Sequence, residues 1–240
     1  MSNLKKILFI LSLFTTFTIS AQSPYYNDAQ VWLAVDVNKE LNDHFDLRLK
    51  MQGRMTDNAS EFGRGYIDIG ATYRIRKEIR VFGDYVYGQK RKNNDTWQSR
   101  HVIFAGLILR KEIQRWRFTY RNMFQARYEA PGVGQAASLG YYFDRNKIDI
   151  RYDINKRLAA YVAGEVNIPL NHPNVRGIAI SRTRTYLGTV IVLSKHHALD
   201  LYFMYQAKLM QGDWFDQDDD YPNKPLKRFY VYGITYKIDF

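Results

Sequence analysis

The sequence predicts an all-β protein, an antiparallel up-and-down transmembrane β-barrel of about 10–12 strands. Three observations predict it. Long stretches alternate apolar and polar residues, one hairpin pattern recurs along the chain, and the last segment alternates aromatic and aliphatic residues up to Phe240. A mean hydropathy of −0.43 excludes a helical multispan protein, and the absence of cysteine excludes a disulfide scaffold. With 240 residues the chain is expected to hold one structural domain.

The first element is a leader. Lys5 and Lys6 precede an apolar run from Ile7 to Ile19, and Ser20, Ala21 and Gln22 follow. This order reads as a secretory signal peptide over 1–21, cleaved near Ala21; the run is shorter than the ~20 apolar residues of a spanning helix. Residues 22–240 are then expected to form the barrel, addressed to the outer membrane. The chain carries a formal charge of +11, a balance that in other settings points to nucleic acid. An exported chain does not meet nucleic acid, so the expected partners are outer-membrane lipid and lipopolysaccharide, with the barrel-assembly machinery during insertion.

Strands are predicted over residues 29–38, 44–54, 64–75, 79–90, 98–110, 115–128, 142–153, 158–168, 181–193, 198–209 and 228–240. Within 44–52, Phe45, Leu47, Leu49 and Met51 share one face and Asp46, Arg48 and Lys50 the other. Trp116, Phe118, Tyr120, Phe124, Ala126 and Tyr128 likewise oppose Arg117, Arg121 and Arg127, with Asn122 alone breaking the apolar row. Leu199, Leu201, Phe203 and Tyr205 oppose Asp200, Tyr202 and Gln206. Such segments exceed the ~5–6 residues of a soluble strand and match the ~9–11 of a tilted spanning one.

Lys39, Lys77, Lys111, Lys156 and Lys195 each sit in a short charged turn with an apolar residue two positions earlier. They recur every ~34–45 residues, the period of a hairpin repeat. Longer connections are expected between hairpins, over 56–63, 90–97, 129–141, 169–177 and 210–227. Short turns at one end and long loops at the other are the arrangement of outer-membrane barrels. Eleven strands conflict with the even number usual in bacterial barrels. Residues 22–28 supplying part of another crossing, one mistaken strand, or a parallel seam between first and last strands would each resolve it.

In the last strand Tyr232, Ile234, Tyr236, Ile238 and Phe240 occupy alternate positions, resembling the signal by which outer-membrane barrels are recognised for insertion. Aromatic residues also gather toward the long-loop ends, among them Tyr26, Trp32, Phe62, Tyr66, Tyr85, Tyr87, Trp97, Tyr128, Tyr141, Tyr142 and Tyr230. Their placement predicts an interfacial girdle.

If the apolar rows face lipid, the alternate rows line the interior. Arg48, Arg80, Asp84, Arg117, Arg121, Arg151, Glu165, Arg182 and Arg184 are the expected lumen charge network, with Arg74, Arg127, Asp46, Asp68, Asp149, Asp153 and Asp200 on the same rows. Arginine suits it, because its planar fork stays charged and binds carboxylates in pairs. Such a network either fills and rigidifies the barrel or favours anions in the lumen.

Enzymatic signals are weak. Ser99 and His101 share a face near the outer end of one strand, yet no acidic residue is tied to them by local spacing. His172 falls in a long loop, and His44, His196 and His197 lie beside short turns, far from outer-leaflet lipid. Asp213, Asp216, Asp218, Asp219 and Asp220 make one loop acidic, and Asp216, Asp218 and Asp220 are weak metal candidates. The run lacks the glycine and terminal glutamate of a standard calcium loop. No Gly-rich phosphate loop, zinc spacing or HExxH is present, so no cofactor is expected.

Gln30-Val31-Trp32-Leu33, Phe62-Gly63-Arg64, Arg117-Phe118-Thr119-Tyr120-Arg121 and, above all, the stretch from Tyr142-Phe143-Asp144-Arg145-Asn146 to Asn155-Lys156 carry a resemblance. They resemble the domain of unknown function 2490 family, outer-membrane barrels of Bacteroidota, over essentially the whole mature chain. The resemblance implies fold and address and carries no activity to transfer. Asp144, between Phe143 and Arg145, departs from the tighter Phe-Arg-Asn pattern of that family and leaves the register of its strand open. The expected role is a non-enzymatic barrel, structural or a narrow path for solutes or anions. The alternatives are an outer-membrane enzyme modifying outer-leaflet lipid and a secreted soluble barrel that binds a ligand inside.

Overall fold

The computed structural model describes residues 26–92, 95–129, 140–171, 179–210 and 227–240. Eleven strands follow in chain order: β1 (Tyr26–Glu40), β2 (Phe45–Thr56), β3 (Glu61–Arg74), β4 (Ile79–Arg91), β5 (Trp97–Ile113), β6 (Trp116–Glu129), β7 (Tyr141–Asn155), β8 (Leu158–Pro169), β9 (Arg182–Val192), β10 (His197–Lys208) and β11 (Lys227–Asp239). Each pairs with its chain neighbours, and β1 closes on β11, so the sheet forms a barrel without an edge. Closure leaves no strand with a row of unpaired backbone N–H and C=O groups.

The closing pair settles the odd count. Strands β1 and β11 run parallel, in register from Tyr26↔Lys227 to Asn38↔Asp239. An odd number of up-and-down strands leaves the first and last pointing the same way, so a closed wall of eleven requires one parallel seam. Residues 26–28 extend β1 and form no further crossing. Beyond the seam's ladder, Glu40 N donates to Phe240 O at 3.0 Å, and Asn38 Nδ2 donates to Asp239 Oδ1 at 3.0 Å.

Lys77, Lys156 and Lys195 lie in short turns as the repeat predicts, whereas Lys39 and Lys111 fall inside β1 and β5, because those ladders run on to Glu40↔Asp46 and Ile113↔Trp116. Two of the short turns are two-residue connections, Lys156 and Arg157 between β7 and β8 and Gln114 and Arg115 between β5 and β6, the latter with φ of 54° at Gln114, the left-handed first position used by two-residue hairpins. At the opposite end one expectation is corrected. The connection expected over 56–63 is only the turn Asp57 to Ser60, because β2 and β3 pair through Thr56↔Glu61. Alternation fades there in the sequence, while the ladder continues across a bulge at Arg54/Met55.

Period-two geometry sorts the side chains. Outward rows expose large apolar groups around the wall, including Leu33 at 50%, Ile69 at 59%, Ile148 at 57% and Leu187 at 55%. Inward rows bury polar ones, Gln98, Arg100, Arg127, Glu165 and Asn167 among them. The greasy stripe therefore faces out, the reverse of a soluble barrel's packing. Asp144 causes no slip: β6 and β7 pair without irregularity from Trp116↔Tyr152 to Arg127↔Tyr141.

Three expected girdle aromatics turn inward instead. Trp32 is 8% exposed and clusters with Met204 and Val231; Tyr66 lines the interior cavity; Tyr141 is buried under the Arg127 guanidinium. Strand parity overrode residue type, since Trp32 shares its row with Asp28 and Gln30, and Tyr66 with Asp68. Interior tyrosines lie over glycines on the next strand: Tyr66 opposite Gly88, Tyr161 opposite Gly188 and Tyr202 opposite Gly233. A Cβ at each of these glycines would run into its tyrosine ring, so the ring covers backbone that glycine leaves bare.

Gly106 is tighter still, because an added Cβ would meet the main-chain oxygen of Asn122 and the Phe82 ring. An oxygen held in the ladder cannot withdraw. Gly106→Ala is expected to destabilise the barrel by about 1–3 kcal/mol, whereas Gly164→Ala, where a Cβ meets nothing within 4 Å, leaves the urea midpoint of the detergent-folded protein unchanged.

Candidate functional site

Inward rows from all eleven strands enclose a cavity of about 470 Å³. Its lining holds twelve lysines and arginines against five carboxylates, an excess of seven positive charges. Of the network expected from sequence, Arg48, Asp84, Arg121, Glu165, Arg182 and Arg184 line this cavity together. Arg80 lies instead in a smaller recess at the short-turn end with Lys77, Glu78, Arg110, Lys111 and Glu112. Arg117 binds Glu112 at 2.7 Å and Arg151 binds Asp153 at 2.8 Å at that same end.

Charges in the cavity are layered. Asp36, Asp68, Asp84 and Asp200 lie on the half nearer the short turns, where cations answer them. Arg48 reaches Asp68 at 2.7 Å and Asp84 at 3.2 Å, and Lys237 reaches Asp200 at 2.7 Å. Tyr161 donates its hydroxyl to Asp200 at 2.9 Å. At mid-height Glu165, with its side chain 1% exposed, is the hub. Its Oε1 accepts from Arg145 and Arg184, each at 2.7 Å, and Oε2 lies 3.7 Å from Arg121. Glutamine carbonyls steady the same arginines, Gln125 accepting from Arg145 at 3.0 Å and Gln206 from Arg184 at 2.7 Å.

Toward the long connections the lining turns cationic. Arg54 and Arg64 come from the adjoining ends of β2 and β3, Arg100 from the start of β5, Arg127 from the end of β6, and Arg182 opens β9. Aromatic faces support these groups. The Arg54 guanidinium lies 3.6 Å from the Trp32 ring centroid and 4.5 Å from that of Tyr66, and Arg127 lies 5.2 Å from Tyr141. Several cations also stand directly opposite one another across the ladder, namely Arg54↔Arg64, Arg64↔Lys90 and Arg121↔Lys147.

Lys50 lines the cavity from the charged face that the sequence assigns to it, while Arg54, Arg64, Arg100, Arg145 and Lys147 are absent from the expected network, although parity with Arg48, Asp68 and Arg127 points to most of them. Arg145 and Lys147 were hidden by the open register at Asp144.

Residues 29–217 match the family model described as protein of unknown function (DUF2490). The chain belongs to the DUF2490 family. No curated protein matches this DUF2490 chain. Among solved structures, the NanC porin superposes with a TM-score of 0.51 at 10% identity, over 89% of this chain and 99% of that one. The translocator domain of autotransporter NalP from Neisseria meningitidis gives 0.45 at 13% identity, over 70% of each chain. The NanC likeness is one of fold alone.

Other residues singled out from sequence lie elsewhere on the DUF2490 barrel. Ser99 and His101 are on the outer face of β5, toward the long connections. Tyr85 OH meets His101 Nδ1 at 2.7 Å, while Ser99 Oγ meets Tyr87 OH and Gln89 Nε2, each at 3.2 Å. Among the described residues no hydrogen bond joins serine to histidine and no carboxylate touches either. Tyr232 and Ile234 are exposed on the outer face, Tyr236 and Ile238 are half-buried, and Phe240 is exposed beside His196. The leader, His172 and the acidic loop with Asp216, Asp218 and Asp220 lie outside the described residues. Among the described residues no group of His, Asp and Glu could hold a metal ion.

Proposed function

We propose that this barrel resides in an outer membrane, exported by the leader over 1–21, and gives small anions a narrow, charge-selective path. The cavity's excess of seven positive charges carries the reading. Like charges set directly across a ladder destabilise it, and the facing pairs Arg54↔Arg64 and Arg121↔Lys147 make sense where an anion spends time between them. A ring of arginines lowers the barrier for anions and raises it for cations. Eleven strands make a wall wider than the eight that side chains just fill, and narrower than the 16–18 that leave an open aqueous channel. The exposed apolar rows support the membrane setting, because a water-soluble protein rarely shows contiguous apolar patches beyond a few hundred Å².

Planar-bilayer recording on the purified, folded protein tests the path. Current steps are expected, with a reversal potential in a KCl gradient that reports chloride permeating several-fold better than potassium. Absence of steps, or a cation preference, would overturn it. Recovery of the protein in a detergent-free soluble fraction would overturn the membrane setting separately.

A further inference from the structure

Two irregularities in the apolar rows meet in space. On the outer face of β6, Asn122 interrupts the row of Phe118, Tyr120 and Phe124; on β7, Asp144 and Asn146 interrupt Tyr142, Ile148 and Ile150. The ladder sets Asn122 opposite Asn146 and Phe124 opposite Asp144. Asn122 Nδ2 donates to Asp144 Oδ1 at 2.7 Å and to Asn146 Oδ1 at 3.0 Å. Asn146 Nδ2 donates to Asp144 Oδ2 at 2.7 Å, and Tyr120 donates its hydroxyl to Asn146 Oδ1 at 2.6 Å. Asn122 sits midway along β6, and Asp144 and Asn146 are the fourth and sixth residues of β7; their neighbours on the ladder are apolar, Leu107 on β5, and Val166 and Ile168 on β8.

A carboxylate with two amides facing acyl chains is costly and marks a functional surface. Hydrocarbon offers no hydrogen bonds, so polar side chains on a spanning surface draw protein partners. The bonding left over identifies the partner. Each Asp144 oxygen accepts one hydrogen bond within the cluster and keeps acceptor capacity, and Asn146 Nδ2 keeps a second N–H. Among the described residues the outward rows carry lysine or arginine only near strand ends, at Lys39, Arg91, Lys111 and Arg228, with Leu33, Met51, Ile69, Ile103, Leu187 and Ile234 typical of the stretches between. The cluster presents both halves of such a contact, a carboxylate with acceptor capacity and an amide with a second N–H. Beside it, Gly164 faces Ile148 across the ladder and has open space where a side chain would stand, which allows close approach.

We propose that the outer face of β6, β7 and β8 is a homodimer interface. A second copy of this chain docks across a two-fold axis along the membrane normal, the Asn146 amide of each copy donating to Asp144 of the other. Such a self-complementary contact closes at two subunits. The dimer does not depend on the anion path.

The chain has no cysteine, so a single introduced one reports a single location. Ile148→Cys, beside the proposed axis, is expected to oxidise to a covalent dimer in detergent micelles. Leu33→Cys on β1, the opposite wall, is expected to remain monomeric. Sedimentation equilibrium in density-matched detergent is expected to show a wild-type dimer. Asn122→Leu/Asp144→Leu/Asn146→Leu and, separately, Gly164→Trp should each raise the dissociation constant by about tenfold or more. The first removes the polar bonds and the second leaves them intact but blocks approach, so a folding defect in one does not mask the other. A wild type monomeric at every concentration, equal cross-linking by the two cysteine variants, or dimers that neither set of substitutions weakens would overturn the proposal.

Discussion

Glu165→Leu is expected to destabilise the folded barrel by about 3–5 kcal/mol, the cost of leaving buried charge without its partner. Glu165 holds Arg145 and Arg184 through one oxygen and faces Arg121 with the other. Its side chain is 1% exposed, and those of Arg145 and Arg184 are 13% and 11%. Removing the carboxylate leaves three guanidinium groups repelling one another where water reaches them poorly. Leucine matches much of the volume and none of the charge, so the loss reports electrostatics more than a cavity. The comparison is Glu112→Gln at the short-turn end, where the Arg117 pair is far more open and the change should stay within about 1 kcal/mol. Urea titration of the detergent-folded protein, followed by the emission of its four tryptophans, measures both. Equal midpoints for the two variants would remove Glu165 from its place as the hub.

Reversing two charges on the long-connection side is expected to have the largest effect on ion preference. Arg54 and Arg64 face each other on β2 and β3 and line the cavity. Arg54→Glu/Arg64→Glu puts carboxylates where the cationic layer is densest, and the chloride-to-potassium permeability ratio should fall several-fold toward unity. Arg54 also stacks on Trp32 and Tyr66, so Arg54→Gln/Arg64→Gln serves as a milder second variant that should fall between. Arg151→Glu, outside the cavity beside Asp153, should move the ratio less. If the permeability ratio follows the mouth substitution and ignores the cavity pair, selectivity arises at the short-turn end.

Much of the interior is legible in the sequence. In a strand, side chains alternate with period two, and once one residue is known to face lipid the whole row follows. Arg48, Arg121, Glu165 and Arg184 were read this way and lie together in one cavity. The same rule places Trp32, Tyr66 and Tyr141 inside, against the girdle that their residue type and their position near strand ends predict. Height along the barrel was less legible. Arg80, Arg117 and Arg151 share the inward rows yet sit at the short-turn mouth, because strand tilt and stagger decide which residues of different strands share a level.

Alternation, the hairpin repeat and the charged turns by themselves determined that the chain is a barrel of about eleven strands with apolar residues outside and charge inside. These are local properties, written into neighbouring residues. Only the tertiary structure decided the parallel seam between β1 and β11, the gathering of three arginines on Glu165, and the meeting of Asn122 with Asp144 on the outer wall. Each depends on closure and register between segments far apart in the chain, and no window of sequence contains both partners.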